Sequence, residues 1–340
     1  MKKKLSSMAV ALTAMAAAAH AGTGPLVVTA SNTATNQLMV FDTDGHLLNT
    51  IATQGQGGVG GNAGGIAQSR GRLAVVNYGS SNVSVFGRDE GADPFQLERV
   101  IPTQGNPVSV AFGAGHLYVL TGTRVESHAV DGAGVHASAD GSTQLLHADG
   151  SAGQVGVIRG QLIVTEKSNA IESIALDAGG AVAGPATSIA GIPADVNVPL
   201  GLVTRGDEAY VTIAHANEIS LERDDTVLAT TGSGTQNAPC WLALAGPFLY
   251  SANSPSLSVS RYAVYGRKIV QDAAVAARFA GKPTDLDYRA GLLAAIDSDG
   301  SASHLSVFAV DEDGRLTLKS AATVASPAIN GVVVVAADRD

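Results

Sequence analysis

Short apolar runs recur along this chain at a nearly constant interval, and polar turns separate them. The runs begin near Leu26, Leu73, Leu117, Leu162, Ala209, Leu249 and Leu292, at steps of 47, 44, 45, 47, 40 and 43 residues. After each comes a polar turn and a second run, several of which end in Val-Phe, as in Gln37-Leu-Met-Val-Phe41, Val83-Ser-Val-Phe86 and His304-Leu-Ser-Val-Phe308. Runs of this length with alternating apolar positions predict strands. A repeat of roughly 40–50 residues built from short strands predicts a β-propeller.

The expected fold is therefore all-β: a seven-bladed propeller with four-stranded antiparallel blades. The first blade lacks an innermost strand before Leu26, while Ile329-Asn-Gly-Val-Val-Val-Val335 is a strand with no blade of its own. The tail is predicted to fill that vacancy, setting residues 332–335 beside 27–29 and closing the ring, which removes open sheet edges. No long stretch carries a 3.6-residue apolar stripe. The Ala-rich segment 272–280 comes nearest and is expected to be a fourth strand.

Composition sharpens this picture. The hydrophobic fraction is 45%, which suits an extensive core, and 40 glycines against 4% aromatics suit stacked sheets joined by many turns. So few rings do not make a stacking platform for nucleic acid. Residues 1–21 read as a signal peptide: Lys2, Lys3 and Lys4, an apolar run from Leu5 to Ala18, then Ala19-His20-Ala21 as a small-x-small cleavage site. Residues 22–340 would then form one propeller domain, periplasmic or secreted. The whole chain carries a net charge of -9, and loss of the three leader lysines leaves 18 Lys+Arg against 30 Asp+Glu, or -12. Such a chain is expected to repel nucleic acid and anionic lipid, and a monomer is expected. Cys240 is the sole cysteine, so no internal disulfide is possible and a buried, inert thiol is expected.

In a propeller, the channel mouth is lined by the starts of the innermost strands and by the turns after the second strands. Those positions hold Asn77, Tyr78, Asn106, Gln154, Glu166, Lys167, His215, Trp241, Asn253 and Asp297. A ring of single polar groups from separate blades is how such a fold builds a small-molecule pocket. Glu166 and His215 are the expected proton carriers, and the others the expected substrate contacts. The Gly-rich loop 55–65 lacks the Gly-Lys-Ser/Thr ending of a phosphate cradle and is expected to be a surface or mouth loop. Asp42-Thr-Asp-Gly45 and Asp311-Glu-Asp-Gly314 lack the distant Glu of a calcium loop and predict tight turns. No metal site and no cofactor is expected.

Several of these segments resemble the seven-bladed propeller lactonase family, which includes bacterial 6-phosphogluconolactonase and the fungal carboxymuconate-lactonizing enzyme. They are Asn77-Tyr-Gly-Ser-Ser-Asn-Val-Ser-Val-Phe86, Gln104-Gly-Asn-Pro107, Val164-Thr-Glu-Lys167, and Ala238-Pro-Cys-Trp241 followed by Tyr250-Ser-Ala-Asn253. The resemblance spans nearly all of residues 25–337. It implies a channel-mouth site for a lactone or its open acid. The chain departs from the family where active members commonly start the fourth blade with His; the text here is Ser151-Ala-Gly-Gln-Val155. Two readings follow. One is an exported lactonase-like enzyme with a small-molecule substrate. The other is a non-catalytic propeller that binds a ligand or an unidentified protein partner.

Overall fold

The computed structural model describes residues 24–62, 64–88, 94–192 and 198–337. The expected signal peptide lies outside the described residues. Seven sheets form, each antiparallel, and in every blade but the first the strand order follows the chain. Blade two comprises Ile66–Ser69, Arg72–Asn77, Asn82–Arg88 and Phe95–Pro102, and blades four to seven repeat that plan from Ala152–Ile158 to Leu316–Val324. The Ala-rich segment lies within Lys268–Arg278, the fourth strand of blade six. Among the described residues the only helical turns are two short 3-10 turns, Tyr78–Ser80 and Ala214–Ala216.

The tail closes the ring as expected. Asn330–Val335 is the innermost strand of blade one, with Val335 opposite Leu26, Val334 opposite Val27, Val333 opposite Val28 and Val332 opposite Thr29. All six tail residues are buried, and the Thr29 hydroxyl donates to the Gly331 carbonyl at 2.7 Å. Blade three departs from the common plan. Its third strand, Arg124–Asp131, pairs with two short outer strands, Gly134–Val135 and Gly141–Gln144.

Blades are joined by apolar packing and by a few directed hydrogen bonds. The second strands carry residues buried completely, such as Leu73, Leu117, Leu162, Ala209, Leu249 and Leu293. Tyr118 of blade three donates its hydroxyl to Gly180 of blade four, and Tyr250 of blade six does the same to Gly314 of blade seven, both at 2.6 Å. Gly180 must be glycine, because a Cβ there would lie 2.1 Å from the Ala114 carbonyl oxygen and φ is +101°. The Asp-x-Asp-Gly segments are turns: the Asp42 carboxylate accepts from the amides of Asp44 and His46, and the Asp311 carboxylate from those of Asp313 and Arg315.

A chain ending at Ile329 exposes both faces and the edge of blade one. It is expected to lose cooperative thermal unfolding and to aggregate, whereas the full chain melts in one transition; circular dichroism melts and light scattering check this.

Candidate functional site

The innermost strands all run in one direction. The face on which they begin is termed upper, and the opposite face lower. On the upper face, residues 55–62 and 64–65 run between blade one and blade two. Asn32 grips its first half, accepting from the amides of Gly58 and Val59 and donating to the Val59 carbonyl. Gly57 lies so close to Asn32 that a Cβ would sit 2.4 Å from its carbonyl carbon. The second half reaches the far walls. Asn62 donates to the carbonyls of Ala152 and Gly153 of blade four at 3.0 and 2.9 Å. Asn330 of blade one donates to the Asn62 carbonyl at 2.9 Å. The Gly64 amide donates to Asp285 of blade seven at 3.2 Å. The loop thus caps the axial channel.

Beneath and beside this cap lies a chamber of about 280 Å³, lined by Tyr78, Asn106 and Lys167 together with Asn62 and glycines of the loop and turns. Three of the ten expected site residues therefore meet. Lys167 follows the last residue of its strand, so its side chain points to the opposite side from Glu166. Its ammonium donates to the Asn62 side-chain oxygen at 2.8 Å, and burial holds its pKa below the usual lysine value. Asn106 donates to the Tyr78 carbonyl at 2.6 Å, fixing that wall. Gln154 lies lower, in the channel, where its side-chain oxygen accepts from the Leu202 amide at 2.8 Å.

Four other expected residues sit at the ends of second strands and face into their blades. Asn77 accepts from Asn36 at 3.0 Å and from Thr53, in the connector arriving from blade one, at 2.7 Å. Asn253 donates to Ser258 and Ser260, and Ser258 in turn donates to Gln236 of the preceding connector. Asp297 accepts from the Gly281 amide at 2.9 Å and contacts the His304 ring at 2.8 Å. Glu166 accepts from the His147 amide at 3.3 Å. Each position fastens its blade to the connector from the previous one. Trp241 is packed in the apolar core of blades five to seven. His215 is exposed on the 3-10 turn of blade five. The Cys240 thiol donates to the Ala238 carbonyl, and burial pushes its pKa up, which keeps it a poor nucleophile.

Glu166 and Glu172 form a buried pair. Glu172 accepts from the Leu146 amide at 2.9 Å, so the pair grips two successive amides of the connector whose Gly150 lines the chamber. The remaining oxygens, Oε1 of Glu166 and Oε2 of Glu172, have no other partner. A proton held by Glu166 would let its carboxyl donate to Glu172. Burial, then the carboxyl–carboxyl hydrogen bond and the charge of Glu172, push Glu166 up to about 9. Sequence reasoning also missed two channel acids, Asp285 and Asp287, raised to about 7 and about 6 by burial. Their signal was two acids spaced by one residue within an innermost strand, a place where the other blades carry mostly apolar or small residues.

No family model matches the chain, and no curated protein matches it in sequence. Solved structures do match in shape. A protein of unknown function from Desulfotomaculum acetoxidans superposes with a TM-score of 0.69 at 12% identity, covering 93% of this chain and 100% of its own. A candidate 6-phosphogluconolactonase of Bacteroides uniformis gives 0.67 at 16%, covering 92% and 100%, and one of Bacteroides fragilis gives 0.65 at 14%, covering 92% and 98%.

A raised carboxyl holds its proton in the folded chain over a range where the unfolded chain has lost it, so stability falls as pH climbs from the ordinary carboxyl range toward about 9. Melting temperature is expected to drop between pH 5 and 9. Glu166→Gln donates its amide to Glu172 without a titrating proton, and a visibly flatter profile is expected from differential scanning calorimetry. With these contacts in place, the chain is a seven-bladed β-propeller that shares its fold with the candidate 6-phosphogluconolactonases of Bacteroides.

Proposed function

We propose that this propeller is lactonase-like and takes a small lactone, or the hydroxy acid it opens to, into the upper chamber. The observation that carries the reading is Lys167: one partly desolvated cation facing a small polar chamber in a strongly acidic chain. Its shape neighbours with lactonase descriptions support the same class. In hydrolysis, water attacks the lactone carbonyl carbon, the ring C–O bond breaks, and the leaving alkoxide takes the proton that the attacking water gives up, so that lactone and water become the hydroxy acid. The carbonyl oxygen gains negative charge on the way, and the Lys167 ammonium is placed to stabilise it. Asn62 holds that ammonium in position and leaves its other two N–H bonds for the ligand. Glu166 serves this site through the connector rather than by touching the lactone.

A second reading has its own support. Among the described residues the chamber is lined by no carboxylate and no imidazole, which suits a propeller that binds a carboxylate ligand and leaves it unchanged. The signal-like leader supports export to the periplasm or beyond.

A panel of five- and six-membered lactones separates the readings. The expected outcome is turnover of at least one, cut at least ~100-fold in Lys167→Met. Saturable binding of a hydroxy acid without hydrolysis of any lactone favours the second reading. Unchanged turnover in Lys167→Met removes Lys167 from the site. N-terminal sequencing of the exported protein is expected to begin at Gly22.

A further inference from the structure

The lower face holds a groove apart from the upper chamber. Several of its inner turns carry arginine. The turns nearest the axis bear Arg70, Arg159, Arg205 and Arg289, while the outer turns bear acids such as Asp42, Asp177 and Asp311. Between the lower ends of blades two and three lies a groove of about 460 Å³. Half-buried Phe112 and Val130 supply its apolar wall, and Arg70, Arg72, His116 and Asp131 supply its charges.

Three of those four charged or titratable groups are already matched. Arg72 pairs with Glu98 at 3.0 Å, His116 with Asp140 at 2.8 Å, and Asp131 with His136 at 2.8 Å. Arg70 has no hydrogen-bond or ion-pair partner among the described residues. It is also held at φ +46°, in a left-handed turn that favours Gly or Asn over a long side chain. Gly115 and Gly132 leave the walls bare: a Cβ added at either would meet nothing within 4 Å. The two outer strands peculiar to blade three begin at Gly134, beside Glu98 and Arg72, and extend the same wall.

We propose that this groove binds a small carboxylate with a flat apolar body. Arg70 takes the carboxylate through its planar pair of N–H donors, and the body lies along Phe112 and Val130 over the bare glycine backbone. The volume falls within the range of small-molecule sites. The net charge elsewhere on the chain is negative, so an unmatched guanidinium at the rim is the feature that selects an anion.

Isothermal titration with 3-phenylpropanoate, and with its uncharged amide as control, tests the assignment. Arg70→Ala removes the cation; Arg70→Gly removes it while relieving the left-handed turn, so loss of folding does not mimic loss of binding. Saturable binding of the acid is expected in the wild type and in Lys167→Met, weakened at least ~10-fold in both Arg70 variants and for the amide. No binding by the wild type, equal binding of acid and amide, or unchanged binding in the Arg70 variants overturns the site. Loss of binding in Lys167→Met also overturns it, because the ligand then occupies the upper chamber.

Discussion

Pairing of the tail strand Asn330–Val335 with Leu26–Ala30 is the contact on which the rest depends. Seven sheets arranged about an axis leave two unmatched faces until the first and last blades meet. The tail supplies blade one from the far end of the chain, so those faces are joined by a sheet rather than by packing alone. A buried strand of four consecutive valines suits this place, since it is covered on both sides and gains from every β-branched side chain. With the ring closed, the connectors and turns of neighbouring blades are held at the distances that build the chamber above and the groove below.

Polar groups inside the ring serve the same end. Asn77, Glu166, Asn253 and Asp297 occupy equivalent places in four blades and grip, directly or through a serine, the connector that arrives from the blade before. A buried polar group without a partner is costly, so each such residue commits its connector to one path. Glu166 and Glu172 hold the amides of residues 147 and 146, and burial beside Glu172 pushes the Glu166 carboxyl toward its protonated form.

The fold was legible in the sequence because it rests on a repeat. The interval between apolar runs, the missing first strand and the orphan Val run near the end each had one reading that buried every strand. The site was legible only in part, because facing is a matter of one residue. Glu166 and Lys167 are neighbours in sequence, yet the strand's alternation sends one into the blade and the other into the chamber. Polarity at the end of a second strand marks both a mouth residue and a tether, and only coordinates tell Tyr78 from Asn77. The glycine loop was harder still. Its glycines carry no chemistry of their own, and they matter because backbone passes within contact distance of Asn32, Asn77 and Asn330.

That loop has a consequence for how the molecule meets its surroundings. Fastened to blades one, four and seven, it stops the axis like a bung in a barrel. Its described residues stand between the upper face and the channel lined by Gln154 and Asp285. A ligand taken by the upper chamber and one taken by the lower groove would meet different walls of the disc.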